Sequence, residues 1–550
     1  MPGATSGASA PPTSSSRTTR TAPVGDIFNV FGPGSPEAAE PAALRTTDFV
    51  GIAIHCAQTA DSKCAANPNA KSDPVPDEPG GYSGYQALYG TRYVDPAITG
   101  GNPCVNDTSG QPVKDTAGNC GFPGFDGMLA KNSLGYVAQM QESGVPVTYA
   151  YVSDAHDNHA LARASGPGEA DYQQQLADYD AAFASFFQGL QAHGIDKSNT
   201  LFVVTVDEGD HFAGGVGAPD GSGNLAYTHT ACAQAPVASS CPANQVGEVN
   251  VQIGSVLPAG EPAYDIHFDS APTFYVNGDA SHPNGPPRTD PAVRKLEQDV
   301  SSATALDPYA GGPVKIAEAL ADPVEEKALH MVDADPKRTP TFTMFGNADL
   351  FFQTTNLSGG CAGSTVCVNP GFAWNHGDVQ EEIANTWVGF VGPGVGPGGV
   401  DSTTWTDHTN VRPTIMALLG LKDDYVQDGR VLIEALTTKA TPHPLVAHRA
   451  TVRRLGDVHE QLNASFGSFA LDTLKASTAA LASTNETRYG LIESSIAALT
   501  TRRDALAHQI RSGLNAAAFD GQALNEVQAL GWIAQAQVLI GLAKALGAAS

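Results

Sequence analysis

Short apolar runs alternate with longer amphipathic stretches over most of the chain. The runs that predict strands are "DFVGIAIHC" (48–56), "VPVTYAYV" (145–152), "NTLFVVTV" (199–206), "TFTMFG" (341–346) and "TWVGFVGPGV" (386–395). Strands that are apolar along nearly their whole length, and that are separated by helices, are typical of a parallel sheet covered on both faces. The pattern therefore predicts an α/β fold with a mostly parallel sheet flanked by helices.

Two stretches of this region have the periodicity of helices. Residues 170–195 repeat apolar side chains at three- and four-residue steps, and Gly194 suits the end of a helix. The residues on this face are Leu176, Tyr179, Ala182, Phe183, Phe186 and Leu190. Residues 411–421 predict a second helix, with Pro413 in its first turn.

The two ends of the chain differ from the middle. Residues 1–25 are rich in Ser, Thr, Pro and Gly and predict a disordered lead. Residues 446–550 predict an all-helical C-terminal extension for packing or self-association. One helical face there carries Ile492, Ile496, Leu499, Leu506 and Ile510. The predicted α/β domain with loop insertions then spans residues 26–445.

The chain is strongly acidic, with 57 acidic and 30 basic residues and a formal charge of −27. This balance argues against nucleic-acid scaffold binding, which needs a basic surface. It does not exclude a phosphate substrate, because bound cations can reverse the local field.

Eight cysteines fall into four consecutive close pairs in loop-like sequence, and no C-x2-C is present. The pairs are Cys56 with Cys64, Cys104 with Cys120, Cys232 with Cys241, and Cys361 with Cys367. Local disulfides fit this spacing better than zinc ribbons do and indicate a secreted or cell-surface protein. Residues 1–25 lack the apolar centre of a signal peptide, and no uncharged apolar run predicts a transmembrane segment.

Three polar clusters lie next to apolar runs. The first polar cluster (151–159) contains Asp154, His156, Asp157 and His159, and the second (207–211) contains Asp207, Glu208, Asp210 and His211. The third polar cluster (372–382) contains His376 and Asp378. A single such residue is typically a turn or helix-cap residue. Three clusters with histidine, at strand ends where α/β proteins bind ligands, predict divalent metal ions such as Zn, Mn, Mg or Ca.

The order of these motifs resembles the alkaline phosphatase superfamily, over about residues 145–435. The likeness is to its phosphodiesterase and nucleotide-pyrophosphatase branch, and "DEG" at 207–209 is similar to the phospholipase C and acid phosphatase branch. The motifs are "YVSDAHDNHALARASGPG", "NTLFVVTVDEGDH", "WNHGDVQEE", "DHTNVRPTIMALLGL" and "QDGRVL". The resemblance implies an alkaline phosphatase-like fold. It also implies metal ligands at Asp154, His159, Asp207, His211 and His376, with Asp157 and Asp210 as alternates. Asp407 and His408 would lie behind these ligands or replace one of them, although "TDHTN" also fits an ordinary helix cap.

The family's first strand, with its metal-binding Asp and the following Thr or Ser nucleophile, has no counterpart in residues 1–48. Asp154 and His159 are also five positions apart, where the family usually has four. One hypothesis is that an N-terminal segment carrying the export signal, first strand and nucleophile is missing. The other is a divergent member that has lost catalysis.

The expected function is therefore a metal-dependent phosphoester hydrolase of phosphodiesterase or phosphatase type. Its substrate would be a phosphate-ester small molecule or a lipid headgroup. The alternative is a non-catalytic extracellular binding or structural protein with a degenerate phosphatase-like core. The sequence does not specify the oligomeric state.

Overall fold

The chain divides into two compact units. The N-terminal unit comprises Met1–Asp196 and Gly217–Ala226, and the C-terminal unit comprises Lys197–Val216 and Tyr227–Ser550. The computed structural model describes residues 95–114, 118, 120, 128–153, 155–158, 163–234, 241–282, 285–334, 338–354, 356–357, 359–422 and 424–549. The predicted disordered lead and the predicted strand 48–56 lie outside these residues.

Helices and strands are numbered along the chain. The helices are α1 (Asp95–Thr99), α2 (Ala130–Glu142), α3 (Ala170–Ala192), α4 (Ile253–Val256), α5 (Pro291–Ser302), α6 (Pro323–Ala328), α7 (Glu381–Ala384), α8 (Val411–Leu419), α9 (His443–Val446), α10 (Arg449–Asn463), α11 (Ser468–Ala482), α12 (Glu486–Phe519) and α13 (Glu526–Ala549). The strands are β1 (Asp157–Asn158), β2 (Arg163–Ala164), β3 (Phe202–Thr205), β4 (His211–Phe212), β5 (Ala218–Pro219), β6 (Leu225–Ala226), β7 (Cys232–Gln234), β8 (Glu248–Gln252), β9 (Tyr264–His267), β10 (Thr273–Val276), β11 (Thr304–Asp307), β12 (Gly312–Lys315), β13 (Ala317–Ala321), β14 (Phe342–Gly346), β15 (Leu350–Gln353), β16 (Val366–Asn369), β17 (Trp374–Asn375) and β18 (Val388–Val391).

The N-terminal unit contains the helix pair α2 and α3 and two antiparallel hairpins, β1–β2 and β5–β6. The predicted helix at 170–195 is confirmed as α3, which buries Ala182, Phe186 and Leu190 at four-residue spacing. Gly194, just beyond its end, has a φ of +76°, a left-handed conformation that glycine adopts without strain. The apolar periodicity and Gly194 were therefore sufficient to predict this helix and its end.

The C-terminal unit holds two four-stranded sheets. One has the order β13-β14-β10-β9 and is antiparallel throughout. The other has the order β15-β8-β16-β7, and only its β15–β8 pair is parallel. Two-stranded antiparallel ladders β11–β12, β17–β4 and β18–β3 complete the described sheet structure.

The predicted alkaline phosphatase-like core, a mostly parallel sheet flanked by helices, is wrong. Across the described ranges the named strands pair antiparallel except for β8 with β15, and no large parallel sheet is present. Apolar runs show that a strand can be buried but do not specify its partner or direction. Strand β3, for example, pairs antiparallel with β18, and both are only half-buried.

The individual strands and helices were predicted more accurately than the sheet. Residues 199–206, 341–346 and 386–395 do contain strands, namely β3, β14 and β18, and α8 forms where the second helix was predicted. Residues 145–152 form no strand, and Tyr149 there is 95% exposed. Their alternating apolar pattern has no neighbouring strand to pair with among the described residues of that unit.

Three of the four predicted cysteine pairs are confirmed as disulfides. The Cα atoms of Cys104 and Cys120 are 5.0 Å apart, those of Cys232 and Cys241 are 5.8 Å apart, and those of Cys361 and Cys367 are 5.6 Å apart. Cys56 and Cys64 lie outside the described residues. The three bridges are compatible with an extracellular protein.

Helices α10 to α13 confirm the predicted helical C-terminal region. They bury an apolar core around Leu455, Ile510 and Ile533, to which Ala328 of α6 and Ile433 also belong. The bundle also joins the sheets: Ala480 and Tyr489, from α11 and α12, belong to the same apolar core as Phe342. Sheets and bundle are thus parts of one unit.

Helix α13 is long and apolar enough, by length and composition, to cross a membrane. One third of its most apolar window is buried. It packs against α10, α11 and α12, with Ala529, Ile533 and Ala536 in the core of the bundle. The core helix of a soluble protein has the same composition.

Candidate functional site

The second and third polar clusters meet through the short antiparallel ladder β4–β17. In this ladder His211 lies opposite Asn375, and Phe212 lies opposite Trp374. The rings of Phe212 and Trp374 are 5.1 Å apart between centroids and anchor the ladder. The pairing places His211 next to the segment that continues into His376.

Helix α7 closes against the second polar cluster at Gly209. The Gly209 amide donates a hydrogen bond to the Ile383 carbonyl over 3.1 Å. A Cβ atom at position 209 would lie 2.5 Å from the Glu382 carbonyl oxygen and 2.6 Å from that of Ile383. Only glycine permits this approach, so it helps to bring the Glu382 side chain to the site.

His211 contacts two carboxylates from separate segments. Its Nδ1 lies 2.5 Å from Glu382 Oε1, and its Nε2 lies 3.1 Å from Asp349 Oδ1. Burial disfavours the charged ring, but the hydrogen bonds with Asp349 and Glu382 outweigh it and raise the pKa of His211 to about 9. In this arrangement the ring is an imidazolium between two acids.

His376 forms the second imidazole–carboxylate pair. Its Nδ1 lies 3.0 Å from Glu208 Oε2. Burial again opposes protonation, but Glu208, and then Asp269 and Asp210, raise the pKa of His376 to about 9. Asp269 is itself held above its ordinary pKa, mainly by burial. Both histidines therefore lie in an acidic environment that attracts positive charge.

Asp349, which contacts His211, also lies close to another carboxyl group, that of Asp307. Burial, and then the charge of Asp349, raise the pKa of Asp307 to about 6. The nearby Tyr309 hydroxyl donates to the Gly247 carbonyl over 2.6 Å and holds this loop against the start of β8. The acids around His211 thus extend from the surface into the interior.

The two imidazole pairs are open to solvent on their carboxylate side. The side chains of Glu208 and Glu382 are 41% and 57% exposed, whereas those of His211 and His376 are 22% and 31% exposed. An ion or a small substrate can reach the carboxylates without unfolding the loops. The arrangement can hold protons or cations between nitrogen and oxygen ligands at a partly exposed position, here called the cleft, which comprises His211, His376 and their carboxylate partners.

The other predicted site residues have different positions. Asp154 and His159 lie outside the described residues, and Asp157 belongs to β1 of the N-terminal unit. Asp207 is exposed, in a bend after β3, and Asp210 is half-buried near His376.

Asp407 and His408 form a local structure of their own. Asp407 caps the 3-10 turn His408–Asn410 by accepting a hydrogen bond from the Thr409 amide at 2.9 Å. The cap interpretation of "TDHTN" is therefore confirmed. His408 Nε2 lies 2.9 Å from the Thr205 hydroxyl at the end of β3.

Four acids at this site were not among the predicted ligands. Glu208 and Glu382 lie inside the second and third polar clusters, where every acid could have been considered. Asp269 follows β9, and Asp349 immediately precedes β15. Their position next to apolar runs was the available signal, but their convergence depends on long-range pairing.

A second group of acids lies in the interior of the same unit. Asp322, Glu325 and Glu493 are buried, and each offers a carboxylate oxygen within 4.8 Å of the others'. This buried acidic triad could hold a metal ion, although it shares no residue with the three polar clusters. Burial raises the pKa of Glu325 far above its ordinary value.

Models of known protein families, curated protein sequences and solved structures contain no match to this chain.

Proposed function

We propose that the protein is a metal-dependent phosphoester hydrolase whose reaction centre is formed by the second and third polar clusters. The observation that carries the proposal is the meeting of His211 and His376 with acids from other segments across the β4–β17 ladder. Histidine and carboxylate side chains gathered in an open cleft are the ligands of hydrolytic divalent metal sites.

Each histidine pair offers a nitrogen and an oxygen atom of the kind that binds a divalent cation. In each pair an imidazole nitrogen and a carboxylate oxygen share a proton. The two atoms are 3.1 Å apart for His211 with Asp349 and 3.0 Å apart for His376 with Glu208. A cation can replace that proton, because both atoms then bind it at about 2.0–2.2 Å. Mixed nitrogen and oxygen ligands favour zinc or manganese over calcium. Asp210 could complete the ligand set near His376.

When bound, such an ion lowers the pKa of a water molecule and neutralises phosphate oxygens. The remaining contribution comes from the chain. Asp307 lies behind Asp349, and α7 holds Glu382 against His211, so the ligands are fixed before substrate arrives. The exposed side of Glu208 and Glu382 leaves room for a phosphate ester of a small molecule or a lipid headgroup.

The rival function is a non-catalytic extracellular protein that binds cations without turnover. The observation in its favour is that both nitrogens of His211 are already engaged by carboxylates. Both functions predict metal binding at the cleft, and only the hydrolase predicts chemistry there.

Hydrolysis of bis-p-nitrophenyl phosphate by the purified chain, loaded with Zn²⁺ or Mn²⁺, tests the proposal. We expect His376→Ala to lower kcat/KM by roughly a hundredfold or more, the scale of losing a metal ligand or an acid–base group. His193→Ala is a matched control, because His193 Nδ1 also lies 3.0 Å from a carboxylate, that of Glu142, on the other unit's surface. Equal activity in both variants would refute the assignment, and bound metal without any turnover would favour the rival.

A further inference from the structure

We propose that Asp322, Glu325 and Glu493 form a buried, non-catalytic calcium site that joins the helical bundle to the sheets. The site is independent of the cleft that contains His211 and His376. Its three carboxylates come from two distant parts of the sequence. Asp322 and Glu325 lie at the start of α6, beside β13, and Glu493 projects from α12 of the bundle.

The start of α6 fixes two of the ligands. Asp322 caps the helix by accepting from the Val324 amide at 2.7 Å, and its own amide donates to Glu325 Oε2 over 3.3 Å. This reciprocal capping box leaves the second oxygen of Glu325 unused. Among the described residues that oxygen, Oε1, has no hydrogen-bond donor, although Glu325 is completely buried. An unpartnered buried oxygen is costly, so a ligand there would be stabilising.

Two arginines neutralise part of the cluster. Arg288 and Arg294 each place a guanidinium nitrogen 2.9 Å from Asp322 Oδ2. Both also contact Glu493, and Arg294 makes a 2.6 Å pair with Glu297.

The charges do not balance within this group. Four carboxylates (Glu297, Asp322, Glu325 and Glu493) face two guanidinium groups, which leaves two negative charges when all are ionised. All four carboxylates are at most 4% exposed, so water contributes little screening. Glu297 Oε1, like Glu325 Oε1, has no hydrogen-bond partner in the part of the chain that the structure describes. A divalent cation bound by the ionised carboxylates would balance these two charges.

The ligand chemistry selects the ion. The triad offers only carboxylate oxygens, which favours hard cations over zinc or copper. Oxygens on opposite sides of a calcium ion are about 4.8 Å apart, and the triad oxygens lie within 4.8 Å of one another. Magnesium usually retains several water molecules, for which this fully buried position has less room than an open site.

Calcium binding to the full chain, after dialysis against EGTA, tests the proposal. We expect Ca²⁺ to raise the Tm of the wild type by at least about 3 °C when it is well above its Kd. Glu325→Gln should abolish the shift. Glu326→Gln is the matched control: Glu326 is the next residue, is equally buried and also has one oxygen without a partner among the described residues, but it lies outside the triad. It should retain the calcium-dependent shift.

A folding defect can be separated from lost binding. In EGTA we expect Glu325→Gln to be at least as stable as the wild type, because glutamine has nearly the same shape as glutamate and places no charge at this buried position. The proposal would be overturned if Ca²⁺ did not change the Tm of the wild type. It would also be overturned if Glu325→Gln and Glu326→Gln lost the calcium-dependent rise in Tm equally. Loss of the shift in His376→Ala would also overturn it, because the cleft would then hold the calcium.

Terbium gives a second test that leaves the triad intact. Tyr489 lies beside the cluster, with its ring 4.2 Å from the Arg294 guanidinium carbon. Tb³⁺ bound at the triad in place of Ca²⁺ should emit strongly on tyrosine excitation, and excess Ca²⁺ should remove the emission. Tyr489→Phe should weaken the emission while Ca²⁺ still raises the Tm. Absence of calcium-displaceable emission from the wild type would contradict the site.

Discussion

His211 on β4 lies directly opposite Asn375 on β17, so the chain segments that carry the two site histidines run side by side. Each histidine then finds a carboxylate from elsewhere in the unit: Asp349 and Glu382 for His211, and Glu208 for His376. A two-residue ladder thereby brings together acids and imidazoles that are far apart in the sequence.

The close approach of α7 at Gly209 can be tested by adding one methyl group. We expect Gly209→Ala to displace α7, because its Cβ would lie 2.5 Å from the Glu382 carbonyl oxygen. Activity should fall roughly tenfold to a hundredfold, since the ligands around His211 lose their alignment. Stability should fall by about 1–3 kcal/mol, the usual cost of overpacking. Steady-state kinetics and urea unfolding measure the two effects.

Gly398→Ala is the control for this substitution, because a Cβ there meets nothing within 4 Å. It should leave both kinetics and unfolding unchanged. Wild-type activity in Gly209→Ala would show that α7 does not need to approach so closely.

The buried arginine cluster should be sensitive to loss of one cation. Arg294 is buried among Glu297, Asp322 and Glu493. We expect Arg294→Met to destabilise the C-terminal unit by about 3–5 kcal/mol, because unpaired charges would remain buried. The four tryptophans, Trp374, Trp387, Trp405 and Trp532, all belong to this unit, so their fluorescence during urea unfolding reports on it.

Lys295→Met provides the comparison from the next position of α5. Lys295 is 53% exposed and pairs with Asp299 at 2.5 Å and with the less exposed Glu261. Its removal should change the urea midpoint little. Equal midpoints for the two variants would mean that the Arg294 pairs add nothing to stability.

We expect the stability of the N-terminal unit to depend on pH through the carboxylate of Asp107. Its burial would raise the pKa, but hydrogen bonds from Ser109 and Gln111 and the charge of Lys131 outweigh burial and hold the pKa of Asp107 below the ordinary value of an aspartate. The stabilisation is therefore complete above the unfolded-state pKa of about 3.9 and is lost as pH falls through the lower folded-state pKa.

Hydrogen exchange of peptides spanning residues 104–114 measures this effect. Asp107→Asn should exchange faster than the wild type at pH 6, and the difference should shrink towards pH 2–3 as the wild-type carboxylate is protonated. A difference that is the same at both pH values would exclude the carboxylate charge as its cause.

Local sequence signals predicted elements well and their assembly poorly. The spacing of Ala182, Phe186 and Leu190 predicted α3. The close pairing of cysteines in loop-like sequence predicted three disulfides. The direction of strand pairing was predicted wrongly, because an apolar run such as 199–206 suits a parallel or an antiparallel neighbour equally. Asp349 and Asp269 could not be assigned to the site, since only the long-range arrangement of β9, β15 and β4 brings them near the histidines.

The resemblance of the motifs to the alkaline phosphatase superfamily had a similar limit. It implied ligands in all three polar clusters, and of these His211 and His376 do lie in neighbouring strand-end positions, whereas Asp154 and His159 lie outside the described residues. It also implied a parallel core that the described residues do not form. The proposed hydrolase therefore depends on the side chains at the cleft and not on that fold.

Pulsed EPR of the Mn²⁺-loaded chain tests the central claim most directly, because it detects ¹⁴N nuclei bound to the ion. If imidazoles bind the ion at the cleft, the wild type should show a ¹⁴N modulation. The modulation should persist in Glu325→Gln, because this substitution alters the buried acidic triad and leaves both histidines in place. It should weaken in His376→Ala and disappear when His211→Ala is added, while His193→Ala leaves it unchanged. Manganese bound without nitrogen modulation, or modulation that survives the loss of both histidines, would contradict a metal centre at the cleft.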